Sequence, residues 1–164
     1  MLTLRIALCL SILIISGCAT PQPNTRAVAI NEVAARNIEF ENYPEAGNTY
    51  LSFSSAHGFQ VNYIARNGNA WLWYPGNRAA LKEEWMLDPQ RNAICWRHPE
   101  NSYNPVTKSR GGAFACSDLR FARKTIVSQL SGDAFNLSSG RIPYVGEKCS
   151  APREFAFDHE RFSC

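Results

Sequence analysis

Between Thr49 and Leu137 apolar and polar residues alternate in a series of short runs, and that alternation is the main structural signal in the chain. The runs are Thr49–Ser54, Phe59–Ala65, Ala70–Tyr74, Leu81–Leu87, Ala93–Arg97, Thr125–Leu130 and Ala134–Leu137. A period of two puts successive side chains on opposite faces of a sheet, so each run predicts a strand. The joints are turn sequences: Arg66-Asn67-Gly68-Asn69, Asp88-Pro89-Gln90-Arg91-Asn92 and Ser131-Gly132-Asp133. Asn-Gly tolerates the positive φ of a tight hairpin, which makes the first of them the strongest. The chain is therefore expected to be mainly β, an antiparallel meander. Its edges need protection, and closure into a small calycin-like barrel supplies it, with an open β-sandwich as the alternative. Ahead of the strands, Ile30, Val33, Ala34 and Ile38 recur at helical spacing and predict one short N-terminal helix over Ala27–Ile38. Glu32 and Glu39 offset Arg36 on its polar face, which suits packing on a sheet better than lying on a bilayer.

A different pattern opens the chain. Arg5 precedes an apolar run from Ile6 to Ile15, interrupted by Ser11 and ending in Ser16 and Gly17, which is the layout of a secretory signal peptide. The run is shorter than the roughly 20 apolar residues of a membrane-spanning helix. Its last residues, Ile15-Ser16-Gly17-Cys18, resemble the lipobox of bacterial lipoproteins. The resemblance implies cleavage before Cys18 and acylation of that cysteine, with Ala19 in place of the aspartate that favours inner-membrane retention. Localisation at the cell outer membrane is the expectation, on either face, with membrane lipid as the partner of acylated Cys18. Acyl chains contribute about 0.8 kcal/mol per buried methylene, and two already anchor a protein stably. Residues 1–17 then form the signal peptide, 18–26 the lipidated cysteine and a polar, proline-bearing tether, and 27–164 a single β-rich domain.

Export changes how the cysteines are read. Of the six, Cys9 leaves with the signal and Cys18 is acylated, so Cys95, Cys116, Cys149 and Cys164 enter an oxidising compartment as an even set. Three pairings are possible. Cys95 with Cys116 and Cys149 with Cys164 close short local loops, and these two disulfides are the expected ones. No Cys-x-x-Cys pair favours zinc over them.

Pro99 to Gly112 is the longest irregular stretch, and a Cys95–Cys116 bond would close it at its base. Loops held in this way often bind partners. Asn48-Thr49, Trp71-Leu72-Trp73-Tyr74-Pro75-Gly76-Asn77, Trp85, Ile94-Cys95-Trp96, Asn101-Ser102-Tyr103-Asn104-Pro105-Val106-Thr107 and Cys116 together resemble small exported proteobacterial domains of unknown function. The paired cysteines and the tryptophans also resemble barrel-shaped inhibitors of proteases and lysozymes of bacterial envelopes. Neither resemblance implies a catalytic residue.

Net charge is +3, too small to call for nucleic acid. His57, His98 and His159 lack metal-ligand spacing, so neither metal nor cofactor is expected. Ser54-Ser55-Ala56-His57 brings hydroxyl and imidazole close in sequence without a nucleophile elbow. Glu83 and Glu84, adjacent on a strand, point to opposite faces and do not form a glycosidase pair. Trp71, Trp73, Tyr74, Trp96, Tyr103 and Asn104 are the candidate binding residues, with Trp71 and Trp73 sharing a face as core or as a stacking platform. The expected function is an outer-membrane lipoprotein acting, without enzymatic activity, as a binding or envelope-interaction module for a protein or glycan partner. Two further classes are an inhibitor of an exogenous lysozyme or protease, acting through the Tyr103 loop, and a hydrolase built on Ser54, Ser55 and His57.

Overall fold

The computed structural model describes residues 25–162. The expected signal peptide, Cys18 and Cys164 lie outside them. Helix α1 (Thr25–Ala34) leads into β1 (Asn48–Ser54), β2 (Gly58–Ile64), β3 (Asn69–Trp73), β4 (Leu81–Asp88) and β5 (Ala93–Arg97). A small hairpin follows, β6 (Tyr103–Asn104) with β7 (Ser109–Arg110), then β8 (Ala115–Asp118), helix α2 (Leu119–Thr125) and β9 (Ile126–Ser131). The predicted meander is present: β1 to β5 pair in sequence, antiparallel throughout. The Asn67-Gly68 and Pro89–Asn92 turns make two of the joints, with Gly68 at φ 79° and Asn92 at φ 48°.

The expected closed barrel does not form. Seven strands run in the order β8-β5-β4-β3-β2-β1-β9 and curl into a half-barrel whose two margins, β8 and β9, are not hydrogen-bonded to each other. The reason lies in the connection. From β8 the chain enters α2 directly, crosses the concave face, and emerges as β9 on the opposite margin beside β1. Asp118 caps α2, its Oδ1 accepting the Phe121 amide at 2.8 Å, which satisfies one of the free donors of the first turn. Leu119, Ala122 and the following Ile126 pack on Tyr43, Tyr50, Ile64 and Ile94, so burial of these side chains holds the helix to the sheet.

The convex face is covered by the C-terminal segment. Leu51, Phe53, Phe59, Val61 and Trp73 of β1, β2 and β3 pack there against Leu137, Phe155 and Phe162. The strand expected over Ala134–Leu137 is absent; Asp133 instead accepts the amides of Leu137 and Ser138 at 2.7 and 2.9 Å and winds the chain into a 3-10 turn over Leu137–Ser139. That local carboxylate bond outcompetes a sheet ladder, a common role for aspartate. Leu137 is thereby driven fully into the core. The predicted helix is present, shorter at its C-terminal end than Ile38.

Cys95 and Cys116 are bonded, and they are also register partners on β5 and β8, so the disulfide staples one margin of the sheet. It is the one disulfide described. The pairing of Cys149 with Cys164 falls on a residue outside the described ones; Cys149 is not a free thiol.

Candidate functional site

The concavity roofed by α2 holds a cavity of about 250 Å³. Strand alternation decides what lines it. Tyr50 and Ser52 of β1, Gln60 and Asn62 of β2, Leu72 of β3, Glu83 of β4 and Trp96 of β5 all face inward. His98 follows β5, His57 sits in the β1–β2 turn, Asn104 comes from β6, and Phe121, Ala122 and Thr125 come from α2. The register sets Ser52 beside Gln60 on β1 and β2, while the inward positions of β3 are the apolar Ala70 and Leu72, across which Asn62 reaches Glu83.

Glu83 is the deepest charged group, with 2% of its surface exposed. Its Oε1 lies 2.5 Å from His98 Nδ1, and Asn62 Nδ2 donates to its Oε2 at 3.5 Å. Burial raises the Glu83 carboxyl above the usual carboxylate range, an effect opposed by the imidazole. His98 is raised in turn, because the carboxylate favours its charged form. Holding Nδ1 on a carboxylate fixes the orientation of the ring. His57 has the opposite shift: burial lowers it, and Asn104 partly offsets that. Its Nδ1 is 3.3 Å from Ser54 Oγ, which also accepts the His57 amide at 3.3 Å. Ser54 and His57 are thus brought together by a turn in which the serine hydroxyl also accepts a backbone amide.

A second cavity of about 460 Å³ shares Glu83 and His98 and adds Lys82, Glu84, Arg97 and Glu100. Within it Arg97 pairs with Glu84 and lies over the Phe114 ring at 4.9 Å. Glu83 and Glu84 do point to opposite faces, as expected for adjacent strand residues.

The aromatic candidates divide. Trp96 and Asn104 line the concave cavity. Trp71 and Trp73 share the convex face: Trp73 is buried, edge-on to Tyr144 with centroids 4.9 Å apart, and Trp71 stacks on Tyr63 at 5.8 Å. Tyr74 follows β3 and is half-buried. Tyr103 stands 55% exposed on the β6–β7 hairpin. Sequence reasoning missed Ser52, Gln60, Asn62, Glu83 and His98. The signal was available in Leu81-Lys82-Glu83-Glu84-Trp85, where the alternation that turns Leu81 and Trp85 inward turns a carboxylate inward between them.

Among the described residues no three His, Cys, Asp or Glu side chains converge on a position for a metal ion, and no helix is long and apolar enough to cross a membrane. Set against known proteins, the chain matches no family model, no curated protein and no solved structure.

Proposed function

We propose that this chain is an outer-membrane lipoprotein, anchored through acylated Cys18, that acts without catalysis as a binding module and holds a small polar ligand in the concave cavity. The observation that carries the binding reading is buried Glu83, paired with half-exposed His98, in a cavity otherwise lined by amides, hydroxyls, the His57 imidazole and apolar side chains. Burying a carboxylate is costly unless it is paired, and sites where polar groups converge inside an apolar cleft are the usual places of ligand binding. Support for the anchor is the order of residues Ile15-Ser16-Gly17-Cys18 after an apolar run. Metabolic labelling with a radioactive fatty acid tests it: the native chain takes up label, and Cys18→Ser does not. Persistent labelling of the variant removes the anchor from the account.

A second reading, inhibition of an exogenous lysozyme or protease, is favoured by one observation. The β6–β7 hairpin presents exposed Tyr103 on a pre-ordered loop, with Ser102 Oγ donating to Pro99 O at 2.6 Å and Gly112 N donating to His98 O at 3.0 Å. Pre-ordering lowers the entropy cost of docking such a loop in a cleft. Assays against a panel of these enzymes decide it, and absence of inhibition at micromolar concentration excludes this second reading.

A further inference from the structure

Apart from Glu83, His98 and His57, whose imidazole burial pushes toward its neutral form, the polar groups around the concave cavity are of one chemical kind. Ser52, Gln60 and Asn62 each carry a side chain that both donates and accepts hydrogen bonds. Asn104 is already engaged, its oxygen accepting the amides of Val106 and Thr107 at 2.9 and 3.1 Å and its side chain bonding to His57. The charged groups at the floor answer each other, Glu83 to His98, so an ionic ligand finds no unmatched counter-charge there. Glu83 Oε2 is held only by the long bond from Asn62, and a carboxylate oxygen accepts more than one donor. Trp96 gives one wall an aromatic face. At about 250 Å³ the space lies below the roughly 300–1,000 Å³ typical of sites for drug-sized molecules, so the occupant is small.

From these features we infer that the concave cavity binds a neutral, hydroxyl-rich ligand of the size of a single sugar ring. The inference rests on the binding reading above and names the chemistry of its ligand. A sugar hydroxyl donates and accepts at once, as do the serine and amide groups that meet it, and none of those groups is then left unpaired on burial. The apolar C–H face of a ring has its counterpart in Trp96. A phosphate or carboxylate ligand would instead be brought beside buried Glu83, at a cost in repulsion and desolvation. An amine would compete with His98 for a carboxylate already engaged.

Saturation-transfer NMR on the chain from Cys18 onward, held in a detergent without a sugar headgroup, tests the inference. The neutral probes are glucose, galactose, mannose and N-acetylglucosamine; glucosamine and glucose 6-phosphate are the cationic and anionic controls. The expected result is transfer to at least one neutral probe, with affinity weakened about tenfold or more in Gln60→Ala and in Asn62→Ala. Should either amide variant fail to fold by circular dichroism, Ser52→Ala provides the same comparison with a smaller change in volume. Neutral-sugar binding that survives all folded variants overturns the assignment to this cavity. Binding of a charged control alone, sensitive to the same variants, overturns the ligand class and leaves the cavity as a binding site. Absence of binding by every probe overturns both.

Discussion

His98 Nδ1 lies 2.5 Å from Glu83 Oε1, joining a half-exposed imidazole to a carboxylate that the sheet has withdrawn from water. Both members are raised, Glu83 by burial and His98 by the carboxylate beside it. A group held above its ordinary value stabilises the fold below that value, and loses the contribution as pH climbs through the folded one. The contribution of Glu83 therefore fades as pH climbs above the ordinary carboxylate range, and that of His98 on the alkaline side of the ordinary imidazole range. His57, lowered by burial, opposes this, since its contribution fades as pH falls below the ordinary imidazole range. Glu83→Gln should flatten the decline of melting temperature toward alkaline pH. An unchanged slope would show that the pair does not govern it.

Gly58 opens β2 at φ 76°, and a Cβ there would stand 2.1 Å from the Lys148 carbonyl oxygen. The same carbonyl accepts the Phe59 amide at 3.0 Å, so the C-terminal segment docks on the sheet through a gap that only hydrogen can fill. Gly58→Ala should cost about 1–3 kcal/mol, through unfavourable φ and displacement of that segment. A urea midpoint equal to that of the native chain would contradict it.

Leu137 is fully buried on the convex side, carried there by a 3-10 turn and not by a strand. Leu137→Ala leaves a cavity in a packed core and should destabilise by about 2–5 kcal/mol, read from denaturant unfolding. A loss under about 1 kcal/mol would mean the segment packs loosely on the sheet.

The Cys95–Cys116 bond spans 21 residues of sequence and closes the loop that bears β6 and β7. In the chain-entropy model a loop of this size is worth about 3 kcal/mol. Replacing both cysteines with alanine should lower stability by about that amount, and mass analysis of the alkylated, unreduced chain should find neither thiol free. Alkylation of Cys95 or Cys116 without reductant would refute the bond.

Much of the sheet was legible because alternation survives burial of a single face. β1 to β5 and β9 coincide with predicted runs to within about two residues, the usual uncertainty of such boundaries. What the pattern could not convey was the crossing from β8 to β9. Ala115–Asp118 is short and exposed throughout, so it carries no period to read. Leu119–Thr125 is a two-turn helix whose inward side is recognisable only once Ile64 and Ile94 are known to lie beneath it. The candidate site suffered similarly. Trp96 and Asn104 were singled out for their chemistry and do line the cavity, while Trp71 and Trp73, chosen on the same grounds, lie on the convex face. Period alone separates a sheet's two faces; it does not say which is covered by chain and which is left hollow. The inward Glu83 marks the hollow one, because a carboxylate is tolerated there beside His98 and a cavity.

With the seven residues of α2 as the direct chain connection between the two margins, the aperture of the half-barrel is a matter of strap length. A closed barrel fixes its bore by strand number and stagger. Here an added helical turn would move the margins apart while every strand kept its neighbours, so the volume available to a guest is adjustable in one place without redesigning the sheet.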